Sequence, residues 1–496
     1  MEVDGDEGDE KRSLPRDPRS FRDKYPPEVR DWWEKVLKDP RHIVAPMVDA
    51  SELAWRMLSR RYQADLCFTP MLHSRIFSEN VTYQTENLYK DVDPADRPLI
   101  VQFCGNNPDV LVKAAALAKP YCDGIDINLG CPQRIAKNGH YGAFLMEEWD
   151  LIATMVRRIR EEVCIPVSCK IRIFPDVKKT IQYAQALEKA GCYMLTVHGR
   201  TREQKGMDTG IADWSYVKAV RNSVNIPVVA NGNIQYLPDV TKCISETGVE
   251  GVMSAEGNLH NPTIFSGNNH PITWELGLEY LDLVKKYPCP LSFARGHLFK
   301  IYHHLLTIPE NSDIRQSLGS SSSFDILLQV TLDLKARYEK YTTGQAKWIP
   351  PLDPPEIAKL PLPPYICQPY VRPPKKPQPD PGLSGDLCNS PVGSKRKLII
   401  PDSLLASIPS GTKLSNNKLK KMSKKPNKNW GLQKNPVILC LNCVNPRGLT
   451  CDFTLCRRCC RAKCYSDTLD CKGHKTFIRQ HRESSKSSFE RLDDES

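Results

Sequence analysis

The chain has 496 residues, 40% of them hydrophobic, and carries 69 Lys and Arg against 58 Asp and Glu, a formal net charge of +11. That length leaves room for two or three domains, and so mild a positive balance excludes neither an enzyme nor a nucleic-acid binder. Residues 1–10 are acidic, no apolar signal segment follows and no apolar run is long enough to span a bilayer, so the 19 cysteines are expected in a reducing compartment, cytoplasmic or nuclear, and no membrane partner is expected.

Residues 1–38 are charged and are expected to form a disordered or short-helix extension, with Trp32 and Trp33 placed to anchor a helix before the first strand. Strand-like apolar runs then recur at 42–47, 66–69, 99–104, 124–128, 167–173, 194–198, 227–230 and 251–254. Between them lie segments with apolar residues at helical spacing, including 51–62, 109–118, 149–163, 177–190 and 213–221. Eight β–α units between residues 42 and 257 predict an α/β fold of the (β/α)8 TIM-barrel type over residues 39–273. A doubly wound open sheet is the second reading, weakened because no GxGxxG follows the first strand.

In such a barrel, functional groups stand at the C-terminal strand ends. Asn128-Leu129-Gly130-Cys131-Pro132 puts a thiol at the mouth of the apolar strand Ile125-Asp126-Ile127, with Gly130 allowing a sharp turn and Pro132 fixing the chain beyond it. Alternation sends Ile125 and Ile127 to one face and Asp126 and Asn128 to the other, so polar side chains line whatever the strand encloses. Gln102 interrupts Val101 and Phe103, Lys170 shares a strand face with Arg172, and His198 shares one with Arg200. Asn231-Gly232-Asn233 and Ala255-Glu256-Gly257 occupy the loops after the last two strands, which in barrels of this type commonly bind phosphate through backbone N–H groups. Each group alone also reads as a solvated strand end, a salt bridge or an ordinary Asn-Gly turn, and a lone cysteine as an inert core thiol. Their recurrence on several strands of one barrel predicts a site that takes a phosphorylated cofactor or substrate.

Residues 274–345 show three amphipathic helical stretches beginning near Trp274, Leu291 and Phe324. Residues 346–436 read as a linker, first proline-rich and then lysine-rich: 14 of the 40 prolines lie between Pro350 and Pro391, although Trp348, Tyr365, Ile366 and Tyr370 are placed to dock on the folded part. Between Pro391 and Thr450 stand twelve Lys and Arg against one acid, Asp402. Lys418, Lys420, Lys421, Lys424, Lys425 and Lys428 are open to three readings: phosphate contacts, a nuclear-import signal together with Lys395-Arg396-Lys397, or a solvated tail. Residues 437–480 hold Cys440, Cys443, Cys451, Cys456, Cys459, Cys460, Cys464, Cys471 and His474, with two C-x-x-C pairs. They are candidates for one or two zinc ions, with disulfides as the alternative and the pairing undetermined by spacing. Residues 481–496 are a charged tail.

Taken together, Ala45-Pro46-Met47-Val48, Asn128-Leu129-Gly130-Cys131-Pro132, Cys169-Lys170-Ile171-Arg172, His198-Gly199-Arg200-Thr201 and Asn231-Gly232-Asn233-Ile234 resemble, in order, the motif set of the tRNA-dihydrouridine synthases. The match covers roughly residues 40–310. Within the family, His140-Tyr141-Gly142-Ala143-Phe144 and Met253-Ser254-Ala255-Glu256-Gly257-Asn258-Leu259 look most like the eukaryotic group acting at positions 16 and 17 of tRNA. The resemblance implies FMN-dependent reduction of the uracil C5=C6 bond in the D-loop of tRNA, with NADPH or NADH as reductant; a monomer is expected, although the sequence leaves the oligomeric state open. It implies Cys131 as the general acid that protonates C5, a task that suits a cysteine, because a free thiol pKa of about 8.5 leaves it mostly protonated at neutral pH. It further implies Pro46, Met47 and Val48 against the isoalloxazine, Gln102 and Lys170 at its polar end, and His198, Asn231, Gly232 and Asn233 with the Ala255–Glu256 backbone around the ribityl chain and phosphate.

A stacked uracil must be extruded to reach such a flavin. Asn128, Arg172 and Arg200 are therefore expected on the substrate side, with Arg295, His297 and Lys300, beside His303 and His304, on an RNA-holding helical surface at 274–345. One departure stands out. Many relatives end the eighth strand with Gly-Arg where this chain has Ala255-Glu256, so backbone donors are expected to hold the phosphate, or Glu256 to point away, with Arg200 or Arg202 supplying the charge. Two other readings are another FMN barrel oxidoreductase of the dihydroorotate-dehydrogenase type and a non-catalytic tRNA-binding protein that kept the barrel.

Overall fold

The computed structural model describes residues 23–90, 92–267, 270–350, 357, 359–370, 438–448, 450–474 and 476–480. Two compact units divide the chain, Met1–Lys376 and Pro377–Ser496. In the first, β1 (His42–Val44), β2 (Leu66–Phe68), β4 (Leu99–Cys104), β5 (Gly124–Leu129), β6 (Val167–Arg172), β7 (Met194–His198), β8 (Val228–Asn231) and β9 (Gly251–Ser254) all pair in parallel. Because β2 bonds both β1 and β4, and β1 bonds β9, the ring closes: this is the eight-stranded TIM barrel expected from the sequence. A two-residue strand, β3 (Leu72–His73), extends the far end of β4. The first strand is shorter than expected. Pro46 has no N–H for the ladder, and the Met47 N–H turns to Ser51 Oγ, so pairing stops after Ala45. Pro227 delays the start of β8 by one residue for the same reason.

Strand alternation sorts the side chains. Val101, Phe103, Ile125, Ile127, Cys169, Ile171 and Val197 face outward into the large core shared with the helices. Ile43, Ala45, Leu66, Phe68, Ile100, Met194, Val229 and Met253 face inward and form a separate apolar floor. Trp32, Trp33 and Leu37 seal it from below. They come from a short helix, Pro27–Asp31, that runs into the wider turn Trp32–Val36. Trp32 Nε1 donates to the Asp123 carbonyl at 2.8 Å, just before β5. Residues 23–38 are thus ordered against the barrel floor, because two buried tryptophans outweigh the surrounding charge.

Helices Thr273–Lys286, Leu291–Ile301, Ser312–Ser320 and Phe324–Thr342 build a second core. Ser312–Ser320 has little helical signature in the sequence, since it buries only Ile314 and Leu318. This bundle packs on the first barrel helix, Leu53–Arg61, chiefly through Trp55. Part of the proline-rich stretch is not a free linker: Thr273 N donates to Tyr365 O, Cys367 N to Pro271 O, and Tyr365 lies parallel to Tyr341. In the second unit, two short ladders (β10, Leu439–Cys440, with β11, Cys443–Pro446; β12, Asp470–Cys471, with β13, Thr476–Phe477) flank the helix Arg457–Ser466. The lysine-rich run from 391 to 434 and the 481–496 tail lie outside the described residues.

Candidate active site at the barrel mouth

Register places the inward polar side chains in layers. Gln102, Asp126 and Ser168 stand level, then Asn128, Lys170 and Thr196, then Arg172, His198 and Asn231. At the lowest level, Asp126 is fully enclosed and accepts from Gln102 Nε2 and Ser168 Oγ, both at 2.7 Å. Burial raises its pKa to about 7 despite those two bonds. Asn128 Nδ2 donates to Gln102 Oε1 at 2.9 Å, so the Asp126–Gln102–Asn128 chain runs from the floor to the rim. At the rim, Asn128 Oδ1 accepts from Cys131 N at 2.9 Å and Gly130 N at 3.2 Å, which fixes the loop that carries the thiol. Ala143 N closes it from the other side by donating to Cys131 O. Gly142 makes this approach possible. Its φ is +67°, and any Cβ there would lie 2.8 Å from the Cys131 carbonyl oxygen. Cys131 packs against a small apolar cluster of Cys104, Ala136, Tyr141, Met71 and Phe144.

Across the mouth, Lys170 Nζ donates to Asn231 Oδ1 at 2.9 Å, and Asn231 Nδ2 donates to Met253 O. Burial, then the nearby Arg172 charge, brings the Lys170 ammonium down to about 8. His198 is held well below its ordinary pKa by burial and by the Lys170, Arg172 and Arg200 charges, so it is neutral at pH 7. Its Nε2 can therefore accept from Arg200, whose guanidinium stands 2.9 Å away. Arg200 also donates to Asn233 Oδ1 at 2.9 Å. Burial, then the Arg200 charge, lowers the Arg172 pKa to about 10. The Arg172 guanidinium bonds the Gly130, Thr201 and Gln204 carbonyls and so staples the Cys131 loop to the loop after β7.

A cavity of ≈ 1280 Å³ opens beside these groups. Arg172, His198, Arg200, Asn231, Gly232, Asn233, Ala255 and Glu256 line it, next to Pro132, the neighbour of Cys131. Cys131, Asn128, Gln102, Lys170, Pro46, Met47 and Val48 are not on its wall; they belong to the adjoining rim and interior. Gly232, at φ +109°, keeps the wall thin, because a Cβ there would fall 2.6 Å from the Ala212 methyl and 3.1 Å from the His198 ring. Glu256 is among the residues around the cavity, and it lies close enough to Lys300, which is not on the wall, to favour that residue's charge. Of the two arginines expected to replace the missing one, Arg200 is on the wall. Arg202 pairs with Glu203 and lies over the Phe144 ring.

Sequence reasoning did not single out Thr196. Its hydroxyl is buried between Lys170 and Val229 in register and has no partner. The inward position two residues before His198 was the available signal. One expected RNA contact is corrected. His297 is 1% exposed, bonded to Glu52 Oε2 at 3.0 Å and stacked on Trp55 with ring centroids 3.9 Å apart, so it is a core residue. Arg295 and Lys300 are half-buried, and Arg295 is bonded to Ser321 O. In the C-terminal unit the metal-ligand candidates gather into two groups, Cys440, Cys443, Cys456 and Cys459 in one and Cys451, Cys460, Cys471 and His474 in the other; Cys464 joins neither.

Comparison with known proteins fits this geometry. The family profile described as dihydrouridine synthase (Dus) matches residues 43–320, more than half of the chain. The chain belongs to the dihydrouridine synthase family. Over 450 residues it is 50% identical to a Rattus norvegicus protein named tRNA-dihydrouridine(16/17) synthase [NAD(P)(+)]-like, covering 90% of this chain and 98% of that one. It is 43% identical to the Schizosaccharomyces pombe tRNA-dihydrouridine(16/17) synthase (69% of this chain, 90% of that one) and 40% identical to its Saccharomyces cerevisiae counterpart (75% and 93%). As a member of the dihydrouridine synthase family the chain is an oxidoreductase, and the family match favours this reading over the dihydroorotate-type and non-catalytic ones. Among the described residues, no helix is long and apolar enough to cross a membrane.

Proposed function

We propose that this enzyme reduces uridine to 5,6-dihydrouridine in the D-loop of tRNA, at positions 16 and 17, with FMN as the bound hydride carrier and NADPH as reductant. The observation that carries the proposal is the rim geometry: one thiol, locked through Asn128, stands at the end of β5 beside Lys170 of the neighbouring strand β6, whose ammonium reaches Asn231 on β8.

The residues present fit a flavin phosphate. The unpartnered Thr196 hydroxyl, the glycine-thinned wall at Gly232 and a donor set of Arg200, His198 and Asn233 suit a polar ring edge at the bottom and an anion at the side. Lys170 and Gln102 would hold the polar edge of the ring, Pro46, Met47 and Val48 its apolar edge, and Arg200 with the 231–233 backbone the phosphate. When bound, the flavin would supply hydride to C6 of the uracil.

Cys131 Sγ would give its proton to C5. Three contacts would keep it there: Asn128 Oδ1 on its N–H, Ala143 on its carbonyl, and Arg172 holding Gly130. The apolar cluster at Cys104, Tyr141 and Phe144 would keep bulk water from the thiol. Lys170 would hold positive charge where negative charge gathers on the reduced ring. The neutral His198 would orient Arg200 and leave the guanidinium to carry the charge that a Gly-Arg strand end supplies in other relatives. Arg295 and Lys300, at the edge of the helical bundle, would meet the RNA backbone.

The test is direct. Purified protein should be yellow and should bleach with NADPH. In a strain lacking the gene, dihydrouridine at tRNA positions 16 and 17 should return with wild type and not with Cys131→Ala. Colourless protein that takes up no FMN, or full rescue by Cys131→Ala, overturns the proposal.

A further inference from the structure

The cysteine unit cannot be held by burial. Among its described residues the buried apolar set is Cys440, Leu455, Cys456, Cys460, Cys464 and Cys471: one leucine and five thiols. Two short ladders and one ten-residue helix complete it. Below about 40 to 70 residues a unit with so thin a core needs cross-links, metals or a partner. The sulfurs of Cys443 and Cys456, of Cys443 and Cys459, and of Cys460 and Cys464 stand 3.6, 3.6 and 4.0 Å apart, too far for disulfides between those pairs.

We propose that this unit binds two structural zinc ions in two interleaved tetrahedral sites. Cys440, Cys443, Cys456 and Cys459 hold the first; Cys451, Cys460, Cys471 and His474 hold the second; Cys464 ligates neither. In each set the four ligand atoms lie within 4.8 Å of one another. Ligands about 2.3 Å from a tetrahedral zinc are about 3.8 Å apart along each edge. Cys443 Sγ stands 3.6 Å from both Cys456 Sγ and Cys459 Sγ, and Cys471 Sγ stands 3.9 Å from His474 Nδ1. A disulfide would need about 2.05 Å. Backbone N–H groups already aim at the sulfurs, Asn442 N at Cys440 and Leu455 N at Cys451, as they do around thiolates in metal knuckles. Four thiolates in one set, and three thiolates with one imidazole in the other, are soft donors in a tetrahedral arrangement that selects zinc over oxygen-seeking cations.

Two details refine the assignment. His474 ligates through Nδ1, because its Nε2 faces Gly448, where a Cβ would come within 2.3 Å of it. Cys464 sits one helical turn beyond Cys460, with its sulfur 4.0 Å from the Cys460 sulfur, but it does not converge with the other three ligands of the second set. The order of ligands along the chain is itself a device. Cys459 and Cys460 are adjacent on the helix Arg457–Ser466 yet serve different ions, so the first turn of that helix is clamped from both sides.

Elemental analysis of the full-length protein, prepared with zinc and desalted, tests this. The expected content is two zinc per chain for wild type and for Cys464→Ala. Cys443→Ala and Cys471→Ala should each lose at least one, and Gly448→Ala should release one ion to a competing chelator at least tenfold faster than wild type. The absorbance of the barrel flavin serves as the control that each variant is folded. One zinc or none in wild type, a loss on Cys464→Ala, or two ions retained by Cys443→Ala or Cys471→Ala overturns the assignment. The thiol count in denaturant without reductant should include every module cysteine; a deficit of four or more means disulfides and also overturns it.

Discussion

The floor and the mouth of the barrel belong to one ring of strands and follow one two-residue alternation, yet they do opposite things. On the floor, Ile43, Leu66, Phe68, Ile100, Val229 and Met253 meet Trp32 and Trp33 and leave no polar side chain among them. Further along β4, β7 and β8, and on the inward faces of β5 and β6, the inward positions become Gln102, Asp126, Asn128, Lys170, Arg172, His198 and Asn231. The floor gains stability from burial. The mouth spends some of it by burying a carboxyl, an ammonium and a neutral imidazole, each shifted from its ordinary pKa. The barrel thus separates apolar packing from buried titratable groups by height along the axis.

That division can be broken at either end. At the mouth, the proposed role of Cys131 as proton donor predicts that Cys131→Ala lowers the reduction rate by about 10²–10⁴-fold, while the melting temperature stays within about 2 °C because the thiol stands at the rim rather than in the core. Single-turnover kinetics beside calorimetry checks both. At the floor, Phe68→Ala should do the reverse, costing about 3–5 kcal/mol of stability from the cavity it leaves, with the rate per folded molecule near wild type. Denaturant titration with flavin-normalised activity would show a failure of the division if the rate collapsed as well.

The mouth also makes a prediction of unusual sign. Asp126 has a folded pKa near 7, above its unfolded value of 3.8, so folding takes up a proton. The stability this gives is complete below about pH 4 and is lost as pH rises through 7. Asp126→Asn, which keeps acceptor and donor atoms for Gln102 and Ser168, should therefore be more stable than wild type by on the order of 2 kcal/mol at pH 8, with the gap closing toward pH 4. Thermal melts across that range check it; a destabilised variant at pH 8 would mean the carboxylate is favoured by something beyond its two bonds. The smallest effect concerns Lys170. Its charge is lost as pH rises through about 8, so the reduction rate should fall a few-fold between pH 7 and 9, and Lys170→Arg, which does not titrate there, should flatten that limb.

Much of this was legible because period-two alternation leaves a mark wherever one face of a strand is chemically unlike the other. Lys170 and Arg172, or His198 and Arg200, stand out against apolar neighbours, and the Gly130-Cys131-Pro132 step announces a shaped loop. The helical bundle was harder. Arg295, His297 and Lys300 read together as a basic face, but Ala294, His297, Leu298 and Ile301 form the buried stripe of that helix. The i, i+3, i+4, i+7 spacing was present in the sequence, and the charge of its neighbours masked it. What it could not contain was Trp55 and Glu52, more than two hundred residues away, which make the imidazole a core group. Cys464 lies outside both groups for a related reason: four residues beyond Cys460 it has the local spacing of a candidate ligand, and only convergence in space separates the two.

By itself, then, the sequence determined the barrel, the strands that carry the mouth and the thiol at its rim, because local pattern and turn chemistry decide which residues face inward. Tertiary structure alone decided which inward groups meet, that Arg200 rather than Arg202 reaches the cavity wall, that residues 23–38 close the floor, and how eight candidate ligands gather into two groups. Those outcomes depend on distances between segments remote in the chain, and no periodicity encodes them.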